Sequence, residues 1–264
     1  MKIVVMGGTG LIGSKLIPKL VEHGHEAVPA SPASGVNTLT GEGLADALKG
    51  ANVVVDVTNS PSFEENAVMN FFMTSTRNIL DYGLAAGVQH HVALSVVGTE
   101  RLQESAYFRA KMAQEKLIRE SSMPYSIVHA TQFFEFTETI ANAATEEDEV
   151  HLAPVLIQPM AADDVAKAVG RTAAGTPLND TLEVGGPEIF RLNEFIAWGL
   201  DALEDRRKVV ADPQYRYFGA LLSERMLVPE SNAARGDVLF KDWLKEYSPS
   251  AHGVIVAAHS RQPS

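Results

Sequence analysis

Within the first thirteen residues KIVVM runs into GGTGLIG, so glycines fall at positions 7, 10 and 13 between a β-branched strand pattern and an amphipathic helix pattern. A strand that must turn this sharply into a helix leaves few folds open. Gly7 permits the tight turn, Gly10 lets backbone approach a pyrophosphate, and Gly13 lets helix and strand pack closely. The N–H groups that open the helix then face the phosphate charge. The bland alternative is a glycine-rich turn with no ligand. Its position between strand and helix favours the binding reading.

Past the loop, strand-like runs at 26–30, 52–57, 91–97, 125–130 and 181–184 alternate with helical patterns at 43–49, 64–86, 105–121, 163–174 and 192–204. Strands separated by long helices imply βαβ units, hence an α/β chain with a mostly parallel sheet. The near-continuous apolar runs 52–57 and 91–97 predict central strands covered on both faces. The first helix carries Ile12, Leu16, Ile17 and Leu20 along one side, holds Pro18 inside it, and stops at Gly24. After residue 133 the alternation loosens, and the acidic run TEEDEV reads as a surface turn. The expected division is 1–133 with 160–190 as the dinucleotide-binding part and 134–158 with 191–247 as a small C-terminal substrate-covering subdomain. Residues 248–264 are expected to form a tail that frays, or whose VIVAA core adds a strand or packs on a neighbour.

Composition removes other classes. With 22 Lys and Arg against 33 Asp and Glu, the formal charge is −11. That charge repels phosphate backbones and anionic membranes, so nucleic acid is not an expected direct partner. The absence of cysteine excludes disulfides and thiolate chemistry and is compatible with a reducing cytoplasm. No run of about 18 apolar residues occurs, and MKIVVMGG reaches glycine too soon for a secretory leader, so the expected setting is cytoplasmic. No metal site is expected. His23 and His25 flank the helix stop, and His90 and His91, adjacent on a strand, point to opposite faces.

Cofactor choice is read about 20 residues past the loop, where an acid would hold the ribose 2′-hydroxyl of NAD. The stretch AVPASPASGVNTLT, 27–40, has neither acid nor base. Ser31 and Ser34 offer donors to a 2′-phosphate and no carboxylate repels it, so NADP (as NADPH) is expected ahead of NAD. As turn residues beside Pro32 and Gly35, the same serines have a purely structural reading. Tyr107 and Lys111, in SAYFRAK, share one helix face. They are either a proton-delivery pair beside a cofactor or two unrelated side chains on a helix. His129 reads as a core histidine before a proton carrier. Phe133, Phe134 and Phe136 read as core and cleft wall, with an apolar shelf for a flat substrate as the functional version.

GGTGLIG, VVVDVTN, TSTRNIL at 74–80, LSVVGTE at 94–100, YFRAK at 107–111 and PYSIVHATQFFEF at 124–136 together resemble the atypical short-chain dehydrogenase/reductase superfamily, in its NmrA-like NAD(P)-binding branch. The likeness extends through AADDVAKAV at 161–169 and EVGGPE at 183–188. It implies a doubly wound parallel Rossmann sheet with a small substrate domain built from the C-terminal segments. Carried over, Gly7, Thr9, Gly10, Leu11, Ile12 and Gly13 cradle the pyrophosphate, and Thr58 and Asn59 line the adenosine and ribose side. Thr131, Gln132 and Phe133 run past the nicotinamide. Ser95, Tyr107 and Lys111 match the superfamily's catalytic set. Tyr107 is then the proton donor, and Lys111 holds the ribose and draws the phenol pKa down toward neutrality. The dipole of the helix start adds to that pull, and Ser95 hydrogen-bonds the same oxygen as Tyr107.

Two departures stand out: His129 occupies a position where relatives commonly carry Arg, and many NmrA-like proteins lack the tyrosine and do no chemistry. The expected function is an NAD(P)H-dependent oxidoreductase that reduces a small carbonyl or quinone-like substrate by hydride transfer. The alternative is a non-catalytic NADP(H)-binding redox sensor that docks a partner protein. A nucleotide-sugar epimerase shares the fold but usually needs a longer substrate domain. The reading leaves room for a homodimer.

Overall fold

The computed structural model describes residues 1–246. The sequence expectation for a 248–264 tail lies outside the described residues. The first half of the chain runs β1 (Lys2–Met6), α1 (Leu11–Glu22), β2 (Glu26–Ala30), α2 (Leu44–Leu48), β3 (Val53–Asp56), α3 (Glu65–Ala86), β4 (His90–Val96), α4 (Ala106–Glu120) and β5 (Tyr125–Ala130). Then follow α5 (Thr137–Ala143), β6 (Thr145–Glu146), β7 (Glu149–Leu152), β8 (Leu156–Ile157), α6 (Ala162–Ala174), β9 (Asp180–Gly185), β10 (Phe190–Arg191) and α7 (Leu192–Ala202). The described residues end with β11 (Lys208–Ala211), β12 (Arg216–Tyr217), β13 (Ala220–Leu221), β14 (Ala234–Arg235) and α8 (Phe240–Glu246).

Seven strands form one sheet in the order β14-β9-β5-β4-β3-β1-β2, and every pair in it is parallel. This is the doubly wound Rossmann-like α/β fold. Alternation along β1 divides the core: Ile3 and Val5 pack with α1 and α6, while Val4 and Met6 pack toward α2, α3 and α4. A strand covered on both faces needs apolar residues at successive positions, which is why β1 and β3 read as unbroken runs. On α1, Ile12, Leu16 and Leu20 recur every four residues and are buried. Gly170 of α6 admits Leu16: a Cβ there would lie 3.2 Å from the Leu16 Cδ1. Pro18 faces solvent, and α1 continues past it to Glu22.

A separate apolar cluster gathers α5, α7 and α8, with Phe134, Phe195 and Phe240 fully or almost fully buried in it. It packs around a three-stranded sheet, β11-β7-β6, whose hairpin turn is the acidic stretch. Carboxylates tie the last described segment back to the main sheet. Asp164 accepts the N–H groups of Asp237 and Val238, Glu183 that of Glu230, and Glu188 that of Phe240. No helix among the described residues is long and apolar enough to cross a membrane.

Candidate active site

The strand order reverses beside β1, because the chain steps out to β2 and returns to β3 on the other side. Such a switch point opens a crevice at the carboxyl ends of the strands. The glycine loop lies in it. Gly7 has φ +79°, and a Cβ on it would come 3.0 Å from Val57 O and 3.1 Å from Thr58 N. A Cβ on Gly13 would fall 2.3 Å from Gly7 O and 2.6 Å from Gly8 Cα, so α1 can start this close to the loop only without a side chain there. Gly8, which motif reasoning passed over, is equally confined, at 2.7 Å from Pro29 Cα. Gly10 is different: only Gly7 O, at 3.3 Å, lies near its missing Cβ. Thr9 and Gly10 are exposed, Leu11 is half-buried and Ile12 is buried. The first N–H groups of a helix have no intrahelical acceptor, so Leu11, Ile12 and Gly13 present donors beside the open space at Gly10.

Gly7 and Gly8 both donate to Ala30 O, at 2.9 and 3.3 Å, which brings the end of β2 against the loop. There the two serines part company. Ser31 is buried, and its hydroxyl has no hydrogen-bond partner among the described residues. The Ser34 hydroxyl accepts the Ser31 N–H at 2.9 Å and donates to Ser31 O at 3.0 Å, so the turn itself uses it. The loop that follows is held by Asn78 of α3, whose amide donates to Thr38 O and Leu39 O.

Asp56 ends β3 as a buried carboxylate. One oxygen accepts the Thr58 N–H at 3.0 Å and the Thr58 hydroxyl at 2.6 Å, and the other accepts Gln114 Nε2 at 3.0 Å. Gln114 Oε1 accepts in turn from Lys111 Nζ, which also donates to Leu94 O at 2.9 Å and lies 4.5 Å above the Phe72 ring. Burial pulls Lys111 down to about 8, against the Asp56 and Glu115 carboxylates that hold it up. An ammonium carries three N–H groups, and these bonds use two of them.

Tyr107, on the first turn of α4, donates to Asn59 Oδ1 at 3.3 Å. Its ring meets those of Phe63, Phe72 and Phe108 at 5.6, 5.9 and 5.7 Å. Burial among them pushes the phenol pKa up from its usual value. The expectation that Lys111 lowers it is therefore corrected: the ammonium is turned to Leu94 and Gln114, and apolar rings surround the phenol.

Ser95 also departs from expectation. Its hydroxyl donates to Glu115 Oε1 at 2.6 Å, an oxygen that His129 Nε2 also approaches at 2.8 Å. Ser95 and His129 are direct neighbours across β4 and β5, so the pleat carries both to the α4 face. The single Ser95 proton is thus committed to Glu115 rather than to the Tyr107 oxygen. His129 takes the core role, and Arg119 and Thr181 extend the network outward.

At the end of β5, Thr131 and Gln132 are buried, and neither the Thr131 hydroxyl nor either Gln132 amide atom has a partner among the described residues. Phe133 stacks on Phe136 at 5.2 Å, while Phe134 belongs to the C-terminal core. Tyr217, from β12, was not legible in the sequence, since no spacing links RYF at 216–218 to the motifs upstream. Its buried phenol lies near the Gln132 amide and the Tyr107 phenol; burial first, then Tyr107, push its pKa up, and the Gln132 amide works against them. A second concavity, lined by α7 and residues 204–209, has its Arg207 committed to Asp205, Asn142 and Thr145 and shares no residue with this crevice. Among the described residues no cluster of three His, Cys, Asp or Glu could hold a metal ion.

A family model described as NAD(P)H-binding matches residues 7–174. The chain is similar to the photosystem II assembly factor Ycf39 of Cyanophora paradoxa, 22% identical over 149 residues that cover 51% of this chain and 46% of that protein. It spans about half the length of the curated relatives it matches. A short-chain dehydrogenase/reductase superfamily protein of Agrobacterium tumefaciens with bound NAD superposes with a TM-score of 0.69 at 16% identity, over 99% of this chain and 100% of that one. The NADPH-dependent quinone oxidoreductase of Escherichia coli, complexed with NADPH, gives 0.61 at 20% identity, over 80% of this chain and 77% of that one. At these identities the two structures establish a shared fold.

Proposed function

The chain belongs to the NAD(P)H-binding family, and from that premise we propose that it is an NAD(P)H-dependent oxidoreductase that reduces a small carbonyl or quinone-like compound, with Tyr107 as proton donor. The observation that carries this reading is the position of Tyr107. Its hydroxyl meets Asn59 at the switch point, Lys111 follows one turn along the same helix, and polar atoms without partners stand at the end of β5. Residues 1–133 with 160–190 bind the dinucleotide on this reading, and the remaining described segments cover its crevice.

The crevice fits the cofactor. Gly7 and Gly13 are crowded where chain must meet chain, Gly10 is open where a pyrophosphate would approach, and the Ser31 hydroxyl lacks a partner. Gly7, Thr9, Gly10, Leu11, Ile12 and Gly13 would hold the pyrophosphate, Ser31 the 2′-phosphate of NADP in preference to NAD, and Thr58 and Asn59 the ribose side. Ser34 shapes the turn that presents Ser31. Thr131 and Phe133 would border the nicotinamide, and the third N–H of Lys111 would reach its ribose. When bound, the cofactor supplies a hydride.

The chain's own residues handle the proton. Burial keeps the Tyr107 phenol protonated at neutral pH, and an alkoxide forming on a reduced carbonyl is a far stronger base than a phenolate. The proton therefore runs from Tyr107 Oη to that oxygen. The same raised pKa works against the reverse reaction, in which a phenolate must serve as base. Phe63, Phe72 and Phe108 line the ring of Tyr107 with apolar surface. The test is NADPH oxidation with a panel of quinones and aldehydes. Tyr107→Phe should bind NADPH as before and lose about 10²-fold or more in turnover. A mutant at the wild-type rate refutes the donor role.

The sensor reading has one observation in its favour, the commitment of Ser95 to Glu115, which removes a member of the catalytic set. A wild type that binds NADPH tightly and oxidises it with no panel member would support that reading instead.

A further inference from the structure

With Ser95 bonded to Glu115, Tyr107 alone would meet the substrate oxygen, and catalysis of this kind gains most from several donors aimed at one developing charge. The end of β5 holds buried polar atoms without partners. Gln132 is 7% exposed, and neither its Nε2 nor its Oε1 has a hydrogen-bond partner among the described residues. An amide left so costs about 1–3 kcal/mol, which makes it unusual in a core and expected at a ligand site. Tyr217 lies close enough to both the Gln132 amide and the Tyr107 phenol to interact with each. The wall is continuous: Tyr217 meets Phe218 edge-on at 4.8 Å, Phe218 meets Phe63 at 5.8 Å, and Phe63 meets Tyr107 at 5.6 Å. Phe63 is 49% exposed, a large ring that the core does not bury.

We propose that Gln132 is a second donor to the substrate oxygen, with Tyr217 as the residue that positions it. The inference rests on the oxidoreductase reading and deepens it. The Gln132 amide N–H side faces Tyr217 Oη, and the phenol sets the tilt at which a second amide N–H is left for the oxygen that Tyr107 protonates. Gln132 keeps its own protons throughout. The carbonyl carbon gains the hydride, its oxygen gains the Tyr107 proton, and solvent reprotonates the tyrosinate. The substrate then needs an acceptor oxygen next to a flat apolar body that can lie along Phe63 and Phe218.

The test compares wild type, Tyr107→Phe, Gln132→Met and Tyr217→Phe by three readouts: thermal midpoint without ligand, NADPH affinity by calorimetry, and kcat and KM on the quinones and aldehydes that wild type reduces. Gln132→Met removes an unsatisfied amide at nearly constant volume. Its midpoint should stay level or rise, NADPH affinity should be unchanged, and kcat should fall at least about tenfold. Tyr217→Phe should give a smaller fall of the same kind, and it decides the matter if Gln132→Met does not fold. Wild-type kcat in Gln132→Met, beside an inactive Tyr107→Phe, overturns the inference and leaves the oxidoreductase reading intact. Weakened NADPH binding with unchanged kcat also overturns it, because Gln132 then serves the nicotinamide. A lowered midpoint in both variants overturns it as a structural pair. A wild type that reduces nothing on the panel overturns both readings together.

Discussion

Alanine at Gly13 and alanine at Gly10 should perturb one loop in two different ways. At Gly13 the new Cβ would stand 2.3 Å from Gly7 O, 2.6 Å from Gly8 Cα and 2.8 Å from Gly8 C. All three are main-chain atoms, so no side chain can rotate aside. Helix propensity returns at most about 1 kcal/mol for Gly to Ala. Displacing the loop costs about 1–3 kcal/mol or more, as overpacking generally does. We expect a net loss of about 2 kcal/mol, which for a chain of this size is a fall of roughly 4–8 °C in melting midpoint.

At Gly10 the backbone sits at φ −80° and ψ −175°, a conformation any residue adopts, and its Cβ would have one neighbour at 3.3 Å. Stability should fall by no more than about 1 kcal/mol, the scale of an N-cap change. The methyl would instead occupy the surface a pyrophosphate must reach, so NADPH affinity should drop at least about tenfold, or about 1.4 kcal/mol. Thermal melts and calorimetric titration with NADPH read the two effects separately. A Gly10→Ala protein that binds NADPH as tightly as wild type refutes the cradle. A Gly13→Ala protein with an unchanged midpoint refutes the packing argument.

If the buried Ser31 hydroxyl serves a 2′-phosphate, wild type should bind NADPH more tightly than NADH, and Ser31→Asp should reverse that order by charge repulsion; equal wild-type affinities refute the NADP preference. Burial pushes His90 and His91 down from 6.5 to about 4. Between those values the unfolded chain binds more protons than the folded one. Stability is therefore full above pH 6.5 and is lost as pH falls toward 4, by up to about 1.4 kcal/mol per pH unit for each histidine. His91→Leu should flatten that slope in urea unfolding followed from neutral pH down to about pH 5, and an unchanged slope would show that His91 does not carry it.

Much of the architecture can be read along the chain because its signals are local. The pattern at 105–121 became α4 at Ala106–Glu120, and the apolar runs at 52–57 and 91–97 became interior strands β3 and β4. The crowding at Gly7 and Gly13 follows from a motif whose spacing encodes a close approach. Ser95 shows where such reading stops. Its place at a strand end is legible, but the face it takes depends on its register against β5, and that register sets it beside His129 and under Glu115. The phenol of Tyr107 is a similar case. Helix spacing puts Tyr107 and Lys111 on one side, yet the ammonium finds Leu94 O and Gln114 first, and the pKa moves opposite to the pairwise expectation.

The amino-acid order by itself therefore determined the strand and helix alternation, the parallel sheet, the glycine loop and the helix that carries Tyr107. Each of these depends on neighbours within a few residues, or on a repeat that one face of a sheet or helix imposes. Only the tertiary structure decided which polar groups would lack partners. Gln132 and Tyr217 are 85 positions apart in sequence, yet the fold brings them near enough to influence one another. Hydrogen-bond satisfaction is a property of the whole packed surround, summed over every element that reaches a given atom, and no local pattern in a chain carries that sum.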